Sequence, residues 1–146
     1  MASQSQLETL IELARRETDD AATRLGLALK AVADAEEKLN MLIGYRDEYG
    51  KRFEATQQAG ITPMAYRNFQ AFMEKLDQAI KGQEEVVRHS RNRGDQERGM
   101  WQAAERKRMS YSTLADRAQA QALKAENKRD QKAMDEHAAR QAYYKR

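Results

Sequence analysis

The chain has 146 residues, of which 40% are hydrophobic and 34% charged, and its formal net charge at neutral pH is +3. One compact globular domain of this size needs more apolar mass, whereas many strong helix formers and a single proline favour a long helix or coiled coil. The absence of cysteine excludes disulfide bonds, zinc–thiolate sites and a thiol nucleophile.

The first half of the chain carries a long coiled-coil pattern. Alternating steps of four and three residues from Leu7 to Phe53 give 14 positions, of which 12 are apolar or aromatic. Only Thr18 and Arg46 interrupt the series. This sustained heptad pattern predicts a left-handed coiled coil. We expect Ser5 and Glu8 to form a capping box that starts the helix.

The chain reverses at the segment from Gly60 to Pro63. Glycine can adopt the left-handed conformation that ends a helix. Thr62 is suited to cap the next helix, and Pro63 is suited to its first turn. A short segment with these stop and start signals predicts a helical hairpin.

The second helix has apolar spacing from Phe69 to Val87, then a polar stretch that contains Gly94 and Gly99, and apolar spacing again from Met100. We expect the helix to continue through the polar stretch but to be weak or bent there, because glycine disfavours helix. Trp101 and Tyr111 are expected to pack against the alanine-rich part of the first helix.

The predicted fold is therefore all-α, with two long helices in an antiparallel coiled-coil hairpin. It forms a single domain over 1–146, with a helix at about 5–57, a turn at about 58–62 and a helix at about 63–140. Folding at the turn pairs Leu7 with the region near Ser112. Residues 113–146 are then left as an overhang that projects as a single helix or frays.

The charge is divided unevenly between the two arms. Residues 1–60 contain 8 basic and 11 acidic residues, net −3, and residues 61–146 contain 18 basic and 12 acidic residues, net +6. Two interpretations remain open. The arms attract each other in the hairpin, or the second arm offers a basic surface to an acidic partner.

No catalytic, metal or cofactor site is predicted. His89 and His137 have no second ligand at a metal-binding spacing. The segment from Gly94 to Gly99 lacks the Lys and Ser/Thr of a phosphate-binding loop. The basic run at residues 106–108 is expected to be a solvated face, and nucleic-acid binding is a third-ranked hypothesis that would require steep salt dependence.

Aromatic residues are concentrated around the turn. Six of them lie within 28 residues: Tyr45, Tyr49, Phe53, Tyr66, Phe69 and Phe72. One interpretation is that they lock the end of the hairpin. The other is that part of the set faces outward as a partner site, with Tyr45 and Phe72 the best exposed candidates.

Neither a signal peptide nor an apolar run long enough to cross a bilayer is visible in the sequence. We expect a cytoplasmic protein that is at most peripheral to a membrane and does not insert into it.

Five segments of the chain carry a family resemblance: Leu7–Leu10, Asp19–Ala22, Met41–Tyr49, Asn68–Phe72 and Ala125–Glu136. These segments resemble FliJ, the general chaperone family of the bacterial flagellar type III export apparatus. Length and hairpin layout agree as well, so the resemblance covers essentially the whole chain. Asp19–Ala22 and Ala125–Glu136 are the more specific of these segments.

The resemblance implies a non-enzymatic coiled coil with three kinds of partner. These are the hexameric flagellar export ATPase, the large membrane protein of the export gate, and the substrate-specific export chaperones that the family escorts or recycles. It also implies promotion of ATPase assembly, at the inner face of the cell membrane. By position, the gate contact corresponds to Leu42, Tyr45, Tyr49, Phe72, Leu76 and Ala79.

Lys38 and Gln83 flank that contact, and Gln83 departs from the family pattern. For the ATPase contact we predict basic residues at and beyond the start of the overhang: Arg117, Lys124, Lys128 and Arg129. The alternative function is a structural coiled-coil scaffold that self-associates through its open seam.

Overall fold

A computed structural model describes residues 3–145 of the chain. It contains two α-helices, α1 (Gln4–Ala59, 56 residues) and α2 (Pro63–Tyr144, 82 residues), and no strand within the described part. The two helices pack against each other as an antiparallel hairpin, and α2 continues beyond the paired region as a helical overhang. The predicted fold class is confirmed.

The start of α1 differs from its prediction by two residues. Ser3 is the capping residue, because its hydroxyl Oγ accepts a hydrogen bond from the Gln6 N–H at 3.2 Å. In return, Gln6 Oε1 accepts one from the Ser3 N–H at 2.9 Å. This is the reciprocal arrangement of a capping box. The prediction that Ser5 and Glu8 play these roles is wrong, since the helix has already begun at Gln4.

The turn has the predicted chemistry. Gly60 has a φ of +93°, in the left-handed region that a residue with a Cβ rarely adopts. The Thr62 hydroxyl accepts a hydrogen bond from the Ala65 N–H at 3.2 Å, so Thr62 caps α2. Pro63 is the first residue of that helix, where its missing N–H costs nothing.

By their contacts, the described residues form two compact units. One combines the residues up to Asp19 with those from Gln102 onward, and the other is Asp20–Trp101. We call them the terminal unit and the turn unit. The helices α1 and α2 each contribute to both units.

Small residues line the helix interface of the turn unit. Ala21, Ala28 and Ala35 recur every seven residues along α1, and all three are buried. Opposite them on α2, Gly94 is also buried, and a Cβ added there would meet Leu29 and Val32 at 3.8 Å. The helices therefore approach closely at Gly94, and α2 continues through this glycine without interruption.

In the terminal unit, Leu7, Ala14 and Thr18 are buried on α1. Leu7 lines a groove together with Ala115 and Ala118 of α2. The register thus lies a few residues beyond the predicted pairing of Leu7 with Ser112. Every described residue from 119 to 145 is exposed. The overhang, as we use the term from here on, is residues 119–145 and begins six residues later than predicted.

The predicted heptad positions of α1 face the partner helix. Thirteen of the 14 positions from Leu7 to Phe53 are buried or half-buried. Tyr49 is the exception, with 36% of its surface exposed. Trp101 and Tyr111 are half-buried on α2, as expected for residues beside the alanine-rich stretch.

Ion pairs join the two helices within each unit. Glu36–Arg91, Arg46–Asp77 and Arg24–Glu97 lie in the turn unit, and Glu17–Lys107 lies in the terminal unit. Two of these four pairs place the acid on α1 and two place it on α2. The ion pairs therefore do not simply join an acidic α1 to a basic α2. Because α2 carries more basic than acidic residues, some of its basic residues have no ion-pair partner among the described residues.

Candidate functional site

Five aromatic rings form a connected cluster next to the turn, which we call the tip cluster (Tyr49, Phe53, Tyr66, Phe69 and Phe72). Phe53 and Phe69 stack with ring centroids 3.5 Å apart and an interplanar angle of 8°. Tyr49 stacks on Phe69 at 5.3 Å, and Tyr66 lies 5.8 Å from Phe53. The rings thus hold α1 and α2 together, which is the locking role that the sequence suggested.

The outer edge of this cluster is open to solvent. Tyr45 is 53% exposed and Phe72 is 43% exposed, as predicted for these two residues. Phe72 is also part of the tip cluster, since its ring lies 4.5 Å from that of Tyr49. One set of rings therefore joins the two helices and also presents an apolar edge to solvent.

The residues implied for the gate contact form two rows, which we call the tip surface. On α1, Leu42, Tyr45 and Tyr49 have helical spacing that places them along one side. On α2 the same holds for the row that starts at Phe72, with Leu76 and Ala79. The Tyr49–Phe72 contact joins the rows. Leu42 and Leu76 are half-buried, whereas Ala79 is exposed.

Gln83 lies four residues beyond Ala79 on α2, where its side chain faces the helix interface. Its side chain is buried and its Nε2 donates a hydrogen bond to the Ala35 carbonyl oxygen at 2.9 Å. Gln83 therefore binds across the helix interface and is not available to a partner. Its spacing of three from Ile80 and four from Val87 placed it on the seam, and that signal was visible in the sequence. Lys38 is exposed.

The other predicted contact residues lie near and within the overhang. Arg117, Lys124, Lys128 and Arg129 are all exposed. The first three are separated by seven and four residues, so they lie on one side of α2, while Arg129 lies about 100° further round. No ion pair joins any of the four to another described residue. Their charges are therefore available to an acidic partner.

One charged pair in the terminal unit has shifted proton affinities. The hydrogen bond from the Arg108 guanidinium lowers the pKa of the Glu105 carboxyl, and the same hydrogen bond raises the pKa of Arg108. The two residues are three apart on α2. The pair keeps both charges in place on the helix, and the nearby Asp19 carboxylate also favours the charged form of Arg108.

The described residues contain no group of three or more His, Cys, Asp or Glu side chains that could hold a metal ion. His89 and His137 are both exposed. Within residues 3–145, neither helix includes a stretch apolar and long enough to cross a membrane.

Comparison with known proteins assigns the chain to a family. The family model for FliJ, described as the flagellar FliJ protein, matches residues 3–146. The flagellar FliJ protein of Escherichia coli (strain K12) is 37% identical over 145 residues, covering 99% of each chain. That of Salmonella typhi is 38% identical over 145 residues, again 99% of each chain. The chain therefore belongs to the flagellar FliJ protein family.

Proposed function

We propose that this protein is a non-enzymatic component of the flagellar export apparatus that binds the export ATPase ring and the export-gate membrane protein. It promotes assembly of the ATPase and escorts or recycles substrate-specific export chaperones at the inner face of the cell membrane. Membership of the flagellar FliJ family supports this role over the alternative of a general scaffold.

The observation that carries the proposal is the exposed aromatic edge of a rigid cluster. Tyr45 and Phe72 present large apolar surface to solvent, while stacked rings behind them fix the helices on which they stand. Aromatic anchors dominate the energy of many protein interfaces. Because the cluster is already ordered, a partner would lose little conformational freedom in binding it. We assign the gate contact to this edge.

The overhang supplies the second proposed contact. It is a single helix with free basic side chains and no packing partner among the described residues. A lone helix can enter a narrow cavity that a helix pair cannot, and the basic row from Arg117 to Lys128 would suit an acidic lining. We assign the ATPase contact to Arg117, Lys124, Lys128 and Arg129 on this basis.

The gate contact is tested with Tyr45→Ala, measured by calorimetry against the purified cytoplasmic domain of the gate protein. Tyr45 takes part in none of the ring contacts of the cluster, so its loss should leave thermal unfolding unchanged. We expect affinity to fall about tenfold or more, the effect of one anchor side chain. Tyr143→Ala, another exposed tyrosine, is the matched control. Equal affinity for Tyr45→Ala and wild type would overturn this assignment.

The ATPase contact is tested by changing Arg117, Lys124, Lys128 and Arg129 together to Glu. Stimulation of the export ATPase and formation of its hexamer should both be lost, because like charges then oppose docking. Charge reversal at Lys30, Lys75 and Lys81, which are exposed on the turn unit, is the control. A quadruple variant that still stimulates the ATPase fully would contradict the contact.

Sedimentation separates this function from self-association. We expect a monomer at micromolar concentration that shifts only when the export ATPase is added. A stable homodimer, with no shift on adding the ATPase, would instead favour a structural coiled-coil scaffold.

A further inference from the structure

The two sides of the hairpin differ within the turn unit. On one side, the Arg91 guanidinium pairs with Glu36 at 2.7 Å and Arg46 pairs with Asp77, so charged groups bridge the helices. On the other side, a shallow groove of about 230 Å³ runs between the helices. It is lined by Arg24, Leu27, Ala28, Ala31, Ser90, Arg93 and Glu97. We call it the side groove.

The side groove is part of a longer apolar strip. Leu27 is 66% exposed at its edge. On α2, Val86 and Met100 lie seven residues before and after Arg93, so heptad spacing places both on the side of the helix that carries Arg93. They are 47% and 58% exposed. Together with Ala31, these side chains leave an apolar surface uncovered between two helices, which is the kind of surface a third helix covers.

The edge of this strip on α1 carries acidic residues. The α1 edge of the strip alternates apolar and acidic residues every seven positions, or about every 10.5 Å along the helix. The series is Asp20, Leu27, Asp34, Met41 and Glu48. Neither Asp20 nor Asp34 forms an ion pair within the described residues. Glu48 pairs with Arg52 on its own helix, so a helix lying in the groove would meet the unpaired carboxylates of Asp20 and Asp34 along α1.

On the α2 edge the sign is reversed. Arg93 is exposed and has no ion-pair partner among the described residues, whereas the other charges of the groove, Arg24 and Glu97, pair with each other across the helices. The strip is thus apolar along its centre, acidic along α1 and basic at the middle of α2. Such an arrangement distinguishes one orientation of a bound helix from the other.

We propose that the side groove binds an amphipathic helix of another protein. Its apolar stripe covers Leu27, Ala31, Val86 and Met100, and Lys or Arg residues at fourteen-residue spacing face Asp20 and Asp34 of α1. The site lies on the tip-surface side of the turn unit, since Tyr45 follows Ala31 by fourteen residues, but it uses different residues. It is thus an additional contact, independent of the gate and ATPase assignments.

The test uses two synthetic helical peptides of about 21 residues, roughly 31 Å long, with leucine at the seam positions. One carries Lys at the flank that would face α1 and Glu at the other flank, and the second carries Glu at both flanks, so that in either chain direction it sets Glu against the carboxylates of α1. Binding of each labelled peptide to the full chain is measured by fluorescence anisotropy. The first peptide should bind about tenfold more tightly than the second, a difference that high salt reduces.

Leu27→Glu should abolish peptide binding, and Asp34→Lys should reduce the preference for the first peptide over the second. Leu123→Glu, at a leucine of similar exposure in the overhang, is the matched control. Leu27→Glu should leave affinity for the gate domain unchanged, so failure here is distinguishable from failure of the proposed function. Equal affinity for the two peptides, or unaltered binding by Leu27→Glu, would overturn the proposal. A wild-type homodimer that Leu27→Glu dissociates would overturn it as well, because a second copy would then occupy the groove.

Discussion

The tip cluster and the overhang are both helical, yet different forces keep them so. Around Phe53 and Phe69, stacked rings from two helices exclude water from each other and hold the chain reversal. In residues 119–145 every side chain is exposed, and the helix depends on local propensity and short-range pairs such as Gln131–Asp135. One helical region is thus held by packing between two helices, whereas the other is held only by interactions along its own helix.

The largest expected effect is on the packed region. Phe69→Ala removes a half-buried ring that stacks on both Tyr49 and Phe53, and should lower the free energy of unfolding by about 2 kcal/mol, below the range for fully buried phenylalanines. Urea unfolding followed by circular dichroism measures this. Tyr143→Ala, in the overhang, should leave the transition unchanged. An equal loss of unfolding free energy in the two variants would show that packing does not stabilise the tip cluster more than the overhang.

A change of opposite sign comes from Gly94. An added Cβ would make ordinary contacts with Leu29 and Val32 at 3.8 Å, and alanine favours helix over glycine. Gly94→Ala should therefore stabilise the hairpin by about 1 kcal/mol.

The reverse change in the overhang, Ala133→Gly, should lower helicity without moving the main unfolding transition, because nothing packs there. A destabilised Gly94→Ala would show that the helices are closer at this point than ordinary van der Waals contact allows.

Removal of residues 120–146 tests whether the overhang contributes to the stability of the hairpin. Since the overhang buries none of its described side chains, the midpoint of thermal unfolding should stay within about 2 °C of the full chain, a shift well below 1 kcal/mol. Total helical ellipticity should fall with the loss of the segment. A large drop in the midpoint would mean that the overhang supports the hairpin.

The smallest expected effect is a pH dependence. The pKa of Glu105 is lowered in the folded state by Arg108, so its contribution is fully present above the ordinary value of about 4.5 and is lost as pH falls through the lowered pKa. Glu105→Gln should be slightly less stable than the wild type at pH 7, and the difference should vanish in strong acid. Glu126→Gln, in the exposed overhang, is the control and should leave the unfolding transition at pH 7 unchanged.

Much of the fold followed from periodicity. Steps of four and three found the seam of α1, and Gly60, Thr62 and Pro63 marked the turn, because each of these signals is local in the chain. Register was less accessible, since it depends on how the turn sets one helix against the other. The same limit applied to the cap of α1. Ser3 and Ser5 are each followed three residues later by Gln or Glu, and only the hydrogen bonds between Ser3 and Gln6 in the folded helix distinguish them.

The site was predicted in part. Exposure of Tyr45 and Phe72 followed from their positions off the seam. The hydrogen bond of Gln83 did not, because its spacing places it on the seam but does not show that its amide will donate to a backbone carbonyl of the other helix. The side groove was equally hidden. It arises where residues of two helices meet, although the alternation along its α1 edge can be read from that helix alone.

The uninterrupted course of α2 from Gln102 to Tyr144 has a consequence for how the overhang gains order. Starting a helix is the unfavourable step, and adding a residue to an existing one is nearly free. Since the paired part of α2 already supplies the nucleus, residues 119–145 need only propagate from it. Their unwinding should begin at the Tyr144 end and travel inward. A protein that binds the last turns of α2 would therefore stabilise the end of a helix whose nucleus the hairpin already supplies.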